Sequence, residues 1–245
     1  IALTRADALR LQRIVQAARL DMLDPDTLHM VLLTAEERGV LTLERFENVL
    51  HRLLPALSHE RPARSAVWVR TMLRRIFAAF DRTGQRRVSG PEFAAALSLL
   101  VSGSKSDKIV LSWSRFSRAG SGIYGEREAA SALGTPTRLG RIDLWRLIRS
   151  ILVPLALLPF LEDRACASSS SMRQALLDEI DYRALQLTDL AVDEAPAIES
   201  SEGEEEEDHF DDRGRKLSLE EFSVWYNRKR HKEISFLELT DLTKW

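Results

Sequence analysis

The chain has 245 residues, of which 44% are hydrophobic and 29% charged, and its net charge is −2. This composition is ordinary for a soluble globular protein and provides no bulk positive charge, so a nucleic-acid partner is not expected. The longest apolar run, 151–161, is interrupted by two prolines and is shorter than the ~20 residues that cross a bilayer, so no membrane span is predicted. The single cysteine, Cys166, favours a reducing compartment, and we expect a cytoplasmic protein, with association with the cytoskeleton as a further expectation.

Apolar residues recur at helical spacing in every periodic segment, and no alternating strand pattern is convincing. The first predicted helix spans 4–21, and Ser89 with Glu92 is predicted to form a capping box further along the chain. The run at 151–161 predicts a buried helix that is kinked or ended at its prolines. We therefore predict an all-α fold, with later helices in the segments 68–80, 89–100, 104–116 and 218–230.

Three loops between these helices share one spacing. A calcium-binding EF-hand loop has twelve residues, with ligands at positions 1, 3, 5, 7, 9 and 12, glycine at 6 and an aliphatic residue at 8. Loop one (34–45), loop two (81–92) and loop four (210–221) are each followed by phenylalanine. The aliphatic residues at their eighth positions are Leu41, Val88 and Leu217.

The register of loop three is open between two readings. One follows Phe116 directly and places Gly122 at position 6 and Glu128 at position 12. The other places Gly140 at position 6 and Ile142 at position 8 after an insertion. We prefer the second reading because 143–152 makes the better helix.

The stretch 92–116, EFAAALSLLVSGSKSDKIVLSWSRF, carries the most specific likeness. It resembles the helix–linker–helix between the second and third hands of the neuronal calcium sensor and calcineurin B subunit family, and more distantly the dystrophin EF-hand region. The resemblance covers most of 25–230 and implies two pairs of EF-hand motifs with an extra N-terminal helix. It implies the following layout: an N-terminal helix at 1–21, a first pair at 22–102, a second pair at 105–231 with insertions near 117–142 and 194–209, and a tail at 232–245.

The loops are poor matches to calcium chemistry. Loop one ends in Arg45, and loop three has no carboxylate at positions 1, 3 or 5, so neither is expected to bind calcium. In loop two, Arg86 stands where glycine is required. No cofactor is therefore expected, and any calcium would bind at loop two or loop four. The candidate ligands there are Asp81, Thr83, Gln85, Arg87, Glu92, Asp211, Asp212 and Glu221.

Charge is unevenly distributed along the chain. Residues 61–87 contain eight arginines and one acid, whereas 199–212 contains nine acids in 14 residues and reads as a disordered insertion. The arginine-rich stretch predicts contact with an anionic partner surface as an alternative to a merely solvated face. The candidate residues for that contact are Arg70, Arg74, Arg75, Arg86 and Arg87.

No catalytic residues are predicted, because the histidines form no ligand-spaced pair and no glycine-rich phosphate loop is present. We expect a largely calcium-independent binding scaffold that recognises a helical or anionic protein segment within a larger assembly. Two alternatives stay open: a calcium sensor with one or two atypical sites, and a regulatory domain of a larger enzyme. The candidate residues for a partner groove are Trp68, Met72, Phe77, Trp113, Trp145 and Trp225.

Overall fold

The structure is a computed structural model that describes residues 19–53, 64–120, 138–162, 170–197 and 215–228, together with residues 9, 12, 13, 15 and 16. Only the backbone is described at 64–66, 118–120, 158–162 and 170. Most of the predicted helix at 4–21, the inner parts of both predicted insertions, the pair Asp211 and Asp212, and the tail 232–245 lie outside the described residues.

Helices dominate the described part of the chain, with 76% of its residues helical, and the prediction of an all-α class is confirmed. A short 3₁₀ turn at Leu20–Met22 precedes the α-helices. These are α1 (Pro25–Ala35), α2 (Leu43–Leu53), α3 (Arg64–Phe80), α4 (Gly90–Ser98), α5 (Lys105–Gly120), α6 (Arg141–Glu162), α7 (Ser170–Glu194) and α8 (Leu219–Asn227). None of these helices is long and apolar enough to cross a membrane.

Two very short antiparallel sheets connect the loops between helices. Strand β1 (Val40–Thr42) pairs with β2 (Arg87–Ser89), so that Leu41 lies opposite Val88. Strand β3 (Arg138–Leu139) pairs with β4 (Leu217–Ser218), so that Leu139 lies opposite Leu217. Each sheet therefore joins two helix–loop–helix units, and all four of these leucine and valine side chains are buried.

Side-chain caps explain where several helices begin. Asp24 accepts a hydrogen bond from the Thr27 backbone N–H over 2.8 Å ahead of α1. Ser218 and Glu221 form a complete capping box at α8. At α4 the predicted capping box is only half formed, because Ser89 caps the helix while the Glu92 carboxylate turns toward α6.

The aromatic residues of the first two units form one cluster in the core. Phe93 makes edge-to-face contacts with Phe46 and Phe77, with ring centroids 4.8 and 5.2 Å apart. A second aromatic group joins α5 to α8, where Phe222 lies between Trp113 and Trp225. Helix α6 packs against α3, α4, α5 and α7, and it therefore connects the two halves of the molecule.

Two local predictions are corrected by the structure. Helix α6 continues through both Pro154 and Pro159, so of the two outcomes predicted for these prolines, a kink or an end, the end is wrong. In loop three, the buried strand residue is Leu139, whereas Ile142 lies in the first turn of α6 with 73% of its surface exposed. The preferred reading, which assigned the eighth position to Ile142, is therefore displaced by three residues. The register is fixed by the pairing of Leu139 with Leu217, and this long-range contact is not visible in a local sequence pattern.

Candidate functional site

Loop one contains its own cation. The Arg45 guanidinium donates from Nη1 to the Ala35 carbonyl over 3.3 Å and from Nη2 to Glu37 Oε2 over 2.8 Å. Arg45 occupies the twelfth position, which in a calcium loop holds a bidentate glutamate. The positive charge that would come from a metal is supplied here by a side chain of the loop itself.

The first half of loop two is held by Asp81. Its Oδ1 accepts from the Gln85 backbone N–H over 3.1 Å, and its Oδ2 accepts from the Arg86 backbone N–H over 2.7 Å. Arg86 adopts φ = 57°, a left-handed conformation that glycine adopts more readily. Asp81 therefore stabilises a turn that an arginine makes where glycine was expected.

Glu92, at the last position of loop two, is engaged by two arginines of α6. Arg146 Nε donates to Glu92 Oε1 over 2.6 Å, and Arg149 Nη1 lies 3.8 Å from Glu92 Oε2. Nearby, burial raises the pKa of the Asp143 carboxyl, Arg146 lowers it in part, and the Glu92 charge raises it again. The carboxylate that would chelate calcium is thus already neutralised.

Loop two is also connected to α7, both directly and through α6. Arg149, only 1% exposed, donates from Nε to Asp181 Oδ1 over 2.6 Å. Arg82 donates to both oxygens of Asp181 over 2.8 and 2.7 Å, and its guanidinium lies 5.5 Å from the centre of the Trp145 ring. The charges of loop two therefore form a continuous network with those of α6 and α7.

In loop four, as in loop two, the glutamate at the last position is paired with arginines. Glu221 has a side chain 2% exposed, and its carboxylate lies 3.6 Å from Arg138 and 3.7 Å from Arg215. Arg215 also donates to the Val192 and Ala195 carbonyls at the end of α7. The glutamate at position 12 is again paired with arginines.

The described ligand candidates do not fit calcium, because the carboxylates at the twelfth positions of loops two and four, Glu92 and Glu221, are each paired with arginine side chains. Thr83, Gln85 and Arg87 are exposed side chains, and two further arginines next to them would repel a divalent cation. No group of three or more His, Cys, Asp or Glu suited to a metal occurs among the described residues.

Four of the six residues predicted to line a partner groove lie in the core instead. Met72, Phe77, Trp113 and Trp225 are at most 3% exposed, because they pack among the aromatic and aliphatic side chains of the core. The other two, Trp68 and Trp145, are partly buried, and the Trp145 indole N–H donates to the Asp181 carbonyl over 3.2 Å. Amphipathic spacing alone does not separate a core aromatic from a contact aromatic.

Three of the five predicted anionic-contact residues meet in one open cleft. Arg74, Arg86 and Arg87 line a cleft of about 630 Å³ beside β2, together with Glu44 and Glu47. We call it the arginine cleft. Arg70 instead lies 3.4 Å from the His51 ring nitrogen, and neither Arg70 nor Arg75 is among the described residues that line the cleft.

A buried polar cluster between α1, α4 and α5 was not predicted. The Ser98 hydroxyl donates to the Ala94 carbonyl, so it accepts from His29 Nε2, which lies 2.6 Å away. Close by, Arg115 forms an ion pair with Glu36, and both side chains are less than a tenth exposed. Burial, aided by the Arg115 charge, lowers the pKa of His29 to about 3.

The sequence did contain a signal for the missed arginines. Arg146 and Arg149 lie one helical turn apart within the 144–152 segment, which is otherwise apolar except for Ser150, and a charge on a buried face requires a partner.

Comparison of the chain with family models, with curated proteins and with solved structures finds no match in any of the three.

Proposed function

We propose that the chain is a four-EF-hand-like scaffold whose loops are closed by internal arginines, and that it binds a protein partner without calcium. The pairings support the EF-hand register, because Leu41 lies opposite Val88, and both were assigned to eighth positions. Gly39 and Arg86, both assigned to sixth positions, have the positive φ values of 74° and 57° that this register requires.

One observation carries the calcium-independent part of the proposal. Glu92 and Glu221, which would be the two bidentate ligands, are each paired with two arginines, and Arg45 replaces the third. A calcium ion would have to displace these guanidinium groups from both glutamates. Because the Glu92 and Glu221 side chains are only 15% and 2% exposed, each carboxylate already has the compensating positive charge that a buried carboxylate requires.

The function follows from the fixed geometry. In sensor EF-hands, calcium changes the angle between paired helices and exposes a binding surface. Here the arginine contacts join loop two to α6, and α6 to α7. A scaffold of this kind presents one surface at all times, and its partner binding does not respond to calcium.

Calorimetric titration of the full chain with calcium tests this proposal. We expect no saturable heat up to 1 mM calcium, and equal hydrogen-exchange protection of loop two in calcium and in EGTA. Magnesium serves as the matched control for weak, nonspecific ion binding. Saturable calcium binding that Glu92→Gln abolishes would overturn the proposal in favour of a sensor.

A further inference from the structure

We propose that the arginine cleft binds an acidic, extended segment of a partner protein. This inference rests on the proposed function, since it names the partner chemistry of the same scaffold. The cleft is open and its volume of about 630 Å³ lies within the range of ligand-binding clefts. Its walls come from α2, α3 and the loop-two side of the first sheet.

The arginines that line the cleft differ in whether they have an ion-pair partner. Arg74 Nε donates to Glu47 Oε1 over 2.6 Å, so this pair neutralises itself. Arg86 and Arg87 are exposed, and no ion pair joins either guanidinium to a residue in the described part of the chain. Arg86 and Arg87 thus bring two positive charges to a cleft whose other unpaired charged residue among those described is Glu44, and each guanidinium can receive a carboxylate through two parallel hydrogen bonds.

Arg86 is held in place by its backbone rather than by its side chain. Its φ of 57° is unfavourable for a residue other than glycine, and the two Asp81 contacts fix the turn. Neither interaction uses the guanidinium. An arginine therefore lines the cleft from a fixed turn, at a position where glycine would fit with less strain.

The same surroundings favour spaced carboxylates over a polyphosphate chain. Glu44 in the cleft would repel densely charged phosphates more strongly than single carboxylates, and nucleic-acid binding depends on many phosphate contacts at once. A peptide with spaced acidic side chains can place single carboxylates on Arg86 and Arg87. Its remaining length can follow the open cleft past Thr42 and Leu43.

The test uses the full chain and a fluorescently labelled peptide of four Glu-Ser repeats, followed by anisotropy in EGTA at 50 and 200 mM NaCl. We expect saturable binding that weakens with salt. Loss of one charge-assisted contact predicts roughly tenfold weaker binding for Arg86→Gly and for Arg87→Ala. Arg173→Ala removes another exposed arginine, which lies on α7 and does not line the cleft, and should change the affinity less than twofold.

Arg86→Gly separates recognition from stability, because glycine suits the positive φ and the melting temperature should not fall by more than about 2 °C. Equal weakening by Arg173→Ala, or unchanged binding by Arg86→Gly and Arg87→Ala, would overturn the proposal. So would tighter binding of inorganic phosphate than of the peptide. Peptide binding that appears only after Glu204–Glu207 are changed to serine would assign the cleft to the chain's own acidic stretch instead.

The two proposals fail independently. Saturable heat in the calcium titration would refute the calcium-independent scaffold but would not change the result of the anisotropy assay. If neither calcium nor the peptide binds, only the assignment of the arginine cleft is refuted.

Discussion

Arg149 and Asp181 form an ion pair in which Nε and Oδ1 are 2.6 Å apart, although they lie on different helices and 32 residues apart in the chain. The Arg149 side chain is 2% exposed and also lies over the Phe80 ring at 5.5 Å. Because the Arg149 guanidinium also approaches Glu92, α6 is joined at one point to both loop two and α7.

Arg149→Met should lower the free energy of unfolding by about 2–3 kcal/mol. A fully buried pair that loses one partner costs about 3–5 kcal/mol, and the 30% exposure of Asp181 reduces this figure. Urea denaturation measures the change. Arg183→Met is the matched control on α7, since its pair with Glu179 is about half exposed and should cost less than about 0.5 kcal/mol. Equal losses in the two variants would contradict a structural role for the Arg149 network.

Gly90→Ala should be strongly destabilising, by about 2–4 kcal/mol. A Cβ at this position would meet the Glu36 carboxyl, which is held in its ion pair with Arg115. Displacing Glu36 would leave the Arg115 charge buried without its partner. Thermal denaturation gives the measurement, and Gly140→Ala gives the control because nothing lies within 4 Å of its added Cβ. A Gly90→Ala melting temperature equal to that of Gly140→Ala would show that Glu36 can move freely.

Phe93→Ala should cost about 3–5 kcal/mol, because Phe93 is completely buried and contacts three other aromatic rings. Phe93→Leu keeps most of the volume and should cost less than half as much. Chemical denaturation of both variants checks the ratio. A loss below 1 kcal/mol for the alanine variant would mean that the aromatic cluster contributes little to the first two units.

Local features were predictable from the sequence where local chemistry decides the structure. The helix predicted to begin at Ser218 does begin there, because its cap partner Glu221 lies within one helical turn, and Leu41 and Val88 lie between helices as predicted. The half-formed box at Ser89 shows the limit, since a stronger partner from α6 competes for the Glu92 carboxylate.

Long-range contacts decided the parts that the sequence did not predict. The register of loop three depends on a pairing between Leu139 and Leu217, which are far apart in the chain. Likewise, Trp113 has the spacing of an amphipathic helix whether it faces the core or a partner, and only its contact with Phe222 distinguishes the two cases. The network of Arg149 requires knowledge of which helix lies beside α6.

Folding stability should decrease as the pH falls below the ordinary pKa of histidine. Burial lowers the pKa of His29 to about 3, so the folded protein keeps this imidazole neutral while the unfolded chain binds a proton near pH 6.5. Below pH 6.5 the unfolded state therefore holds one more proton than the folded state. The free energy of unfolding then falls by about 1.4 kcal/mol for each pH unit. The stabilising contribution is therefore complete above pH 7 and is lost progressively toward pH 3.

The geometry around His29 identifies the variant that isolates this effect. The facing groups are Ser98, which accepts the Nε2 hydrogen bond, and Arg115, whose charge opposes protonation; Nδ1 is buried and has no hydrogen-bond partner in the described part of the chain. Burial raises the pKa of the neighbouring Glu36, although Arg115 offsets part of the increase, so that carboxyl favours the folded state at low pH and acts in the opposite direction.

His29→Gln can keep the hydrogen bond to Ser98 but does not titrate, so its stability should lack the loss of about 1.4 kcal/mol that the unchanged chain shows between pH 7.5 and 5.5. Urea denaturation at these two pH values gives the difference, in which the Glu36 contribution cancels. A proton NMR titration of the folded chain provides a second measurement that does not depend on the variant folding. The His29 ring resonances should not shift between pH 7.5 and 5.5, and a midpoint near pH 6.5 would show that the imidazole is accessible to protons in the folded state.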